Sequence, residues 1–110
     1  GSLKKDLTWS QILKALLPAG SISGAPKSSA LKVISEHEPV PRGPYCGILG
    51  WVQGDKCELS VAIRTFWNAK DGQLHFGTGA GITWGSDPLA EWEETQLKAR
   101  KLISIAGGNI

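Results

Sequence analysis

The chain contains no methionine, only two cysteines and two histidines, a single tyrosine and no long apolar run. Each shortage narrows what it can be. Without methionine no native start is in view, and Gly1-Ser2 reads as the remnant of a cleaved tag, which leaves residues 3–110 for fold reasoning. The expectation is a piece of a longer protein. Cys46 and Cys57 form neither a paired metal motif nor a disulfide framework. If Gly54-Asp55 closes a two-residue hairpin, Cys46 faces Ile63 and Cys57 faces Val52, so the thiols do not meet. Free thiols in a reducing compartment are expected. His37 and His75 lack companions at metal-ligand spacing, and structural roles are expected for both. A net charge of +2 is too small and too scattered to argue for nucleic acid or a membrane surface. No stretch reaches the length of a membrane span and none reads as a signal peptide, so neither is expected. A soluble cytoplasmic protein is the expectation.

What is present is glycine, 14 residues in 110, and a clear succession of local signals. Thr8 to Leu17 reads as a helix: Thr8 and Gln11 have capping-box spacing, Leu7 and Ile12 match a hydrophobic staple, and Pro18 ends it. Its apolar face is Ile12, Leu13, Leu16 and Leu17. Residues 18–25 read as a loop, and a second helix starts near Pro26 and stops before Pro39. Three strands follow: Tyr45 to Gln53, Cys57 to Trp67 across a Gly54-Asp55 turn, and Gln73 to Thr78 after Asp71-Gly72. Ser86, Asp87 and Pro88 supply the cap and first turn of a last helix reaching about Ala106. The strands are grouped rather than alternating with helices. The predicted class is therefore α+β, an antiparallel β-meander with packed helices, with most of the five tryptophans in core positions.

Candidate chemistry gathers near the end of the chain. On the last helix Trp92, Thr95, Ala99, Leu102, Ile103 and Ala106 share one face, Glu91, Glu94 and Lys98 run along its border, and Glu93 points to solvent. First-turn acids favoured by the helix dipole, with a Glu94–Lys98 pair, explain this stripe without any site, and the helix alone favours that explanation. The Gly79-Ala80-Gly81 turn just upstream shifts the balance, because backbone amides can hold an anion beside acids able to hold a divalent cation. Arg64, expected in mid-strand between small same-face neighbours, could clasp a carboxylate with two parallel hydrogen bonds, or be a surface arginine. Residues 20–27, with Lys27, could cradle an anion or merely connect two helices. Trp51 could line a pocket. No nucleophile elbow or triad signature occurs.

Several motifs stand in a recognisable order: Pro18-Ala19-Gly20-Ser21-Ile22-Ser23-Gly24-Ala25-Pro26-Lys27, Arg42-Gly43-Pro44-Tyr45-Cys46-Gly47, Ala62-Ile63-Arg64-Thr65, Gly79-Ala80-Gly81, and Ser86-Asp87-Pro88 through Lys98. From about Leu7 onward the chain closely resembles the C-terminal part of the chorismate-utilising enzymes. Within that family the Tyr45-Cys46-Gly47 and Glu91-Trp92-Glu93-Glu94 versions look more like the p-aminobenzoate branch, aminodeoxychorismate synthase component I. Anthranilate synthase component I is the alternative, and a non-catalytic chorismate-fold binding module a further one.

The resemblance implies that Arg64 holds a chorismate carboxylate and that the amides of Gly79, Ala80 and Gly81 hold a substrate carboxylate as well. It implies Mg²⁺ as cofactor, with Glu94 a direct ligand, Glu91 acting through water and Lys98 beside them. Where the family usually carries tyrosine this chain has Trp51, so a hydroxyl contact is lost and the indole must serve instead. A glutamine amidotransferase subunit or domain is implied as the ammonia-supplying partner. The chemistry is coherent, since a dianionic substrate needs arginine, oriented amides and a cation to replace its water. The family also carries an upstream Pro-Ile-x-Gly-Thr segment and further glutamates that complete the metal site. None of these occurs in this chain, so the segment alone is expected not to turn over chorismate.

Overall fold

A computed structural model describes residues 2–110, with the element order α1 (Trp9–Leu16), α2 (Gly20–Ser23), α3 (Lys27–His37), β1 (Ile48–Gln53), β2 (Lys56–Val61), β3 (Phe66–Asn68), β4 (Leu74–Phe76) and α4 (Pro88–Ile105). Helices and small antiparallel sheets are both present, as expected for an α+β chain. The chain divides into two compact units. One takes the residues up to Pro41 together with Cys46–Val61, and the other takes Arg42–Tyr45 with Ala62–Ile110.

In the first unit α1 begins as its sequence dictates. The Thr8 hydroxyl accepts from the Gln11 amide at 3.3 Å, and the Gln11 side chain accepts from the Thr8 amide at 2.9 Å, a reciprocal capping box. Ile12 and Leu13 are half-buried, whereas Leu16 is exposed and leaves the predicted apolar face. The stretch predicted as a plain loop contains one turn of helix, α2, because the Ala19 carbonyl accepts from the amides of Ile22 and Ser23 and from the Ser23 hydroxyl. Pro26 then stands as the N-cap of α3.

The β1–β2 hairpin turns at Gly54-Asp55 with Gln53 opposite Lys56 and Val52 opposite Cys57, the predicted register. Gly50 lies opposite Leu59 with φ of 149°, and a Cβ there would collide with the Glu58 carbonyl, so only glycine allows this close approach. The ladder stops at Ile48 and Val61. Tyr45 to Gly47 form a turn in which Cys46 has φ of 68°, so the predicted pairing of Cys46 with Ile63 does not occur; both thiols are free.

The second unit contains the main departure from the predicted meander. The expected strand from Cys57 to Trp67 is interrupted at Ala62–Thr65, where Arg64 adopts the left-handed conformation at φ 52°. β3 pairs only with β4, with Phe66 opposite Phe76 and Trp67 opposite His75, so two separate two-stranded sheets replace one of three strands. Period-two alternation continues through Ala62–Thr65 in the sequence, which conceals the break. The β3–β4 connection is held by side chains: Asn68 Oδ1 accepts from the Lys70 amide at 2.6 Å and Asp71 Oδ1 from the Gln73 amide at 2.9 Å.

α4 begins on Asp87, whose carboxylate accepts from the Ala90 amide at 2.9 Å, with Pro88 in its first turn. Ala99 is its fully buried residue, flanked by half-buried Thr95, Leu102 and Ile103. Trp92 and Ala106, predicted on that face, are exposed. The tryptophans correct the expectation further: Trp51, Trp84 and Trp92 are all exposed, and only Trp9 and Trp67 are half-buried. Among the described residues no helix is long and apolar enough to cross a membrane.

Candidate functional site

Residues 77–98 bring together most of the residues singled out by sequence. After β4 the chain runs extended past Gly77 and along α4, where the Thr78 hydroxyl donates to the Thr95 carbonyl at 3.3 Å. Gly77 packs against the Tyr45 side chain, where any Cβ would clash, and Gly79 lies beside the same residue, its Cβ position 3.2 Å from Tyr45 Oη. Gly81 differs: its φ is not left-handed and a Cβ would meet nothing. Neither packing nor backbone conformation requires glycine at 81. An open approach to the backbone there is what a ligand reaching the amides would need.

The carboxylates occupy neighbouring turns of α4. Glu91 is half-buried, and its Oε1 accepts from Ser86 Oγ at 2.6 Å. Glu94 is exposed and forms an ion pair with Lys98, one turn further on. Lys98 Nζ also reaches the Gly79 carbonyl at 3.5 Å. One ammonium therefore touches both the second carboxylate and the irregular segment between β4 and α4. Ala80 is half-buried between two exposed glycines.

A divalent cation such as Mg²⁺ takes hard oxygen donors, and two carboxylates a turn apart on one helix fit that chemistry. By themselves two carboxylates would be only part of a ligand set. Among the described residues no group of three or more His, Cys, Asp or Glu is placed to hold a metal ion.

Arg64 is exposed in the bend between β2 and β3 rather than in mid-strand. Trp51 lies on β1, 49% exposed, and belongs to the other compact unit. The anion-cradle reading of residues 20–27 is corrected. Lys27 Nζ donates to the Ala15 and Leu17 carbonyls at 3.2 and 3.0 Å, closing the C-terminal end of α1, so this segment is a helix connector. Sequence reasoning gave Tyr45 no role outside its motif, yet its ring fixes Gly77 and its hydroxyl borders Gly79, with the Arg42 guanidinium 5.7 Å from the ring centre. The paired demand for glycine at 77 and 79 was the available signal.

A sequence profile for chorismate binding enzymes matches residues 1–104. Anthranilate synthase component 1 from Neisseria meningitidis serogroup B is 46% identical over 107 residues, 96% of this chain and 22% of that protein. The proteins of the same name from Pseudomonas putida and from a Synechocystis species are 45% and 44% identical, each covering 94% of this chain and 21% of their own length. The chain thus spans about a fifth of these curated relatives. Their names side with the anthranilate branch, which the sequence motifs had placed second to the p-aminobenzoate branch.

Proposed function

The chain belongs to the chorismate-binding enzyme family, and on that premise we propose that it forms part of a chorismate-aminating synthase of the anthranilate synthase component I type. The observation that carries this reading is the joining of Glu94, Lys98 and the Gly79 carbonyl through one ammonium group, beside a stretch whose Gly81 backbone is open. Lys98 and the amides of Gly79, Ala80 and Gly81 bind and orient a substrate carboxylate. Arg64 clasps a carboxylate with its planar fork of donors. Glu94 would hold Mg²⁺ directly and Glu91 would hold it through water, with Glu91 keeping its hydrogen bond from Ser86. The metal, when bound, supplies positive charge against the charge that develops as the ring hydroxyl leaves.

A glutamine amidotransferase subunit or domain is the proposed ammonia source. Because the chain contributes only two carboxylates, the 110-residue segment alone is expected to show no chorismate turnover. A second reading, the p-aminobenzoate branch, rests on the buried Cys46 of the Tyr45-Cys46-Gly47 turn, a position where anthranilate synthases more often carry a small residue, as implied by the resemblance.

Product analysis with the full-length protein, chorismate, Mg²⁺ and ammonium salt tests both. Anthranilate supports the first reading, and an amino compound retaining the enolpyruvyl side chain supports the second. Binding of chorismate that is indifferent to Mg²⁺ and to Glu94→Ala would instead indicate a non-catalytic module.

A further inference from the structure

Ser86 lies just outside α4 and makes more contacts than a helix entrance needs. Asp87 already caps the helix through the Ala90 amide. The Ser86 oxygen accepts from the Thr83 amide at 3.0 Å and lies 3.3 Å from Thr83 Oγ1, while the Ser86 amide donates to the Thr83 carbonyl at 3.1 Å. A serine hydroxyl has one proton, and here it goes to Glu91 Oε1 at 2.6 Å. The sequence Thr83 N–H to Ser86 O–H to Glu91 carboxylate is therefore a directed chain, and each link strengthens the next. It begins two residues after Gly81 and ends on a carboxylate of the next helix.

We infer that Ser86 is a positioning residue for Glu91: its hydroxyl occupies Oε1 and fixes the carboxylate so that Oε2 serves the metal's water shell. This rests on the reading of Glu91 and Glu94 as metal-site residues. A flexible glutamate in a first helical turn samples several rotamers, and ordering it lowers the entropic cost of binding. The short, half-buried contact to a charged acceptor is stronger than a neutral hydrogen bond. Partners that orient direct metal ligands change metal affinity by roughly 10–100-fold when removed, and for Glu91, which acts through water, the low end of that range is expected. The same chain ties the orientation of Glu91 to the Thr83–Ser86 turn, which follows Gly81 by two residues.

The test is Mn²⁺ binding, as a spectroscopic stand-in for Mg²⁺, followed by electron paramagnetic resonance on the full-length protein. Ser86→Ala should raise the Kd by about tenfold, the low end of that range, and Ser86→Thr, which keeps the hydroxyl, should remain within about threefold of wild type. Asp87→Ala removes the helix cap proper and should lower the melting temperature while leaving the Kd close to wild type. In a Glu91→Ala background, adding Ser86→Ala should change the Kd less than about twofold, because Ser86 acts through Glu91. Wild-type affinity in Ser86→Ala, an equal loss in Asp87→Ala, or an undiminished loss in the Glu91→Ala background overturns the role of Ser86 alone. Failure of the wild-type protein to bind Mn²⁺ overturns the metal reading and this inference with it.

Discussion

Lys98 is ion-paired with Glu94 across one turn of α4 while its ammonium also reaches the Gly79 carbonyl at 3.5 Å. The helix pair on its own is ordinary. At 37% and 52% side-chain exposure its contribution to stability is at most a few tenths of a kcal/mol, about 0.3–0.5 for such i,i+4 pairs before salt screening. The second contact of Lys98, to the Gly79 carbonyl, is what a bare helix pair would lack.

Lys98→Met keeps the aliphatic stem and removes the charge. The melting temperature of the full-length protein should hardly move. Chorismate affinity should fall by about tenfold or more, the loss expected when a charge-assisted hydrogen bond of about 1.5–3 kcal/mol disappears. Calorimetric titration beside a thermal melt checks both halves. Equal losses in stability and binding would return Lys98 to a structural role.

Glycines 77 and 81 should separate packing from binding. Gly77→Ala forces a methyl group into the Tyr45 ring, and overpacking of that kind costs about 1–3 kcal/mol. Gly81→Ala places its methyl group in open space, so stability should be unchanged. If the backbone at 81 receives a substrate carboxylate, that same methyl group should weaken chorismate binding. Thermal melts and calorimetry on the two variants give opposite patterns, and a stability loss at Gly81 would sink the distinction.

The residues themselves explain how much of this was legible in the sequence. Thr8, Gln11, Asp87 and Pro88 act locally, and the helix starts they specify occur where predicted. Gly54-Asp55 likewise fixes the β1–β2 register through turn geometry alone. Alternation could not reveal the break at Arg64, because the left-handed residue sits within an apolar/polar rhythm that continues on both sides. The exposure of Trp51, Trp84 and Trp92 was hidden for a different reason: a large aromatic residue signals a partner surface without saying whether that surface lies in this segment. For the site, the order of motifs singled out Glu91, Glu94, Lys98 and Gly79–Gly81 as candidates. The Ser86–Glu91 contact and the placement of Tyr45 on Gly77 depend on side-chain directions that one-dimensional spacing does not contain.

Asp71 gives the β3–β4 hairpin a pH dependence whose sign can be worked out. Its carboxylate lies below the ordinary value of 3.8 because it accepts from the Gln73 amide first, and then from His75 at 2.7 Å. A depressed folded-state value means that this contribution is fully present above about pH 4 and disappears as the pH falls through the lowered folded value. His75 also stacks on Trp67, with ring centres 5.6 Å apart, so Trp67 fluorescence reports on the turn. Acid titration should change that emission below pH 4 in the wild-type chain. Asp71→Asn should flatten this limb of the profile and lower hairpin stability at neutral pH.

Arg64 offers the sharpest separation of function from fold. Its backbone is left-handed at φ 52°, a conformation that costs a side-chain-bearing residue about 1–2 kcal/mol and glycine almost nothing. A residue kept there for structure alone would be better as glycine. Arg64→Gly should therefore hold or raise the melting temperature of the full-length protein. Chorismate binding should fall by roughly a hundredfold, the loss of a bidentate carboxylate clamp. Arg64→Lys keeps the charge but not the planar fork, and should recover only part of that affinity. Calorimetry across the three proteins decides: if Arg64→Gly binds chorismate as wild type does, Arg64 is a surface residue and the clamp must lie elsewhere.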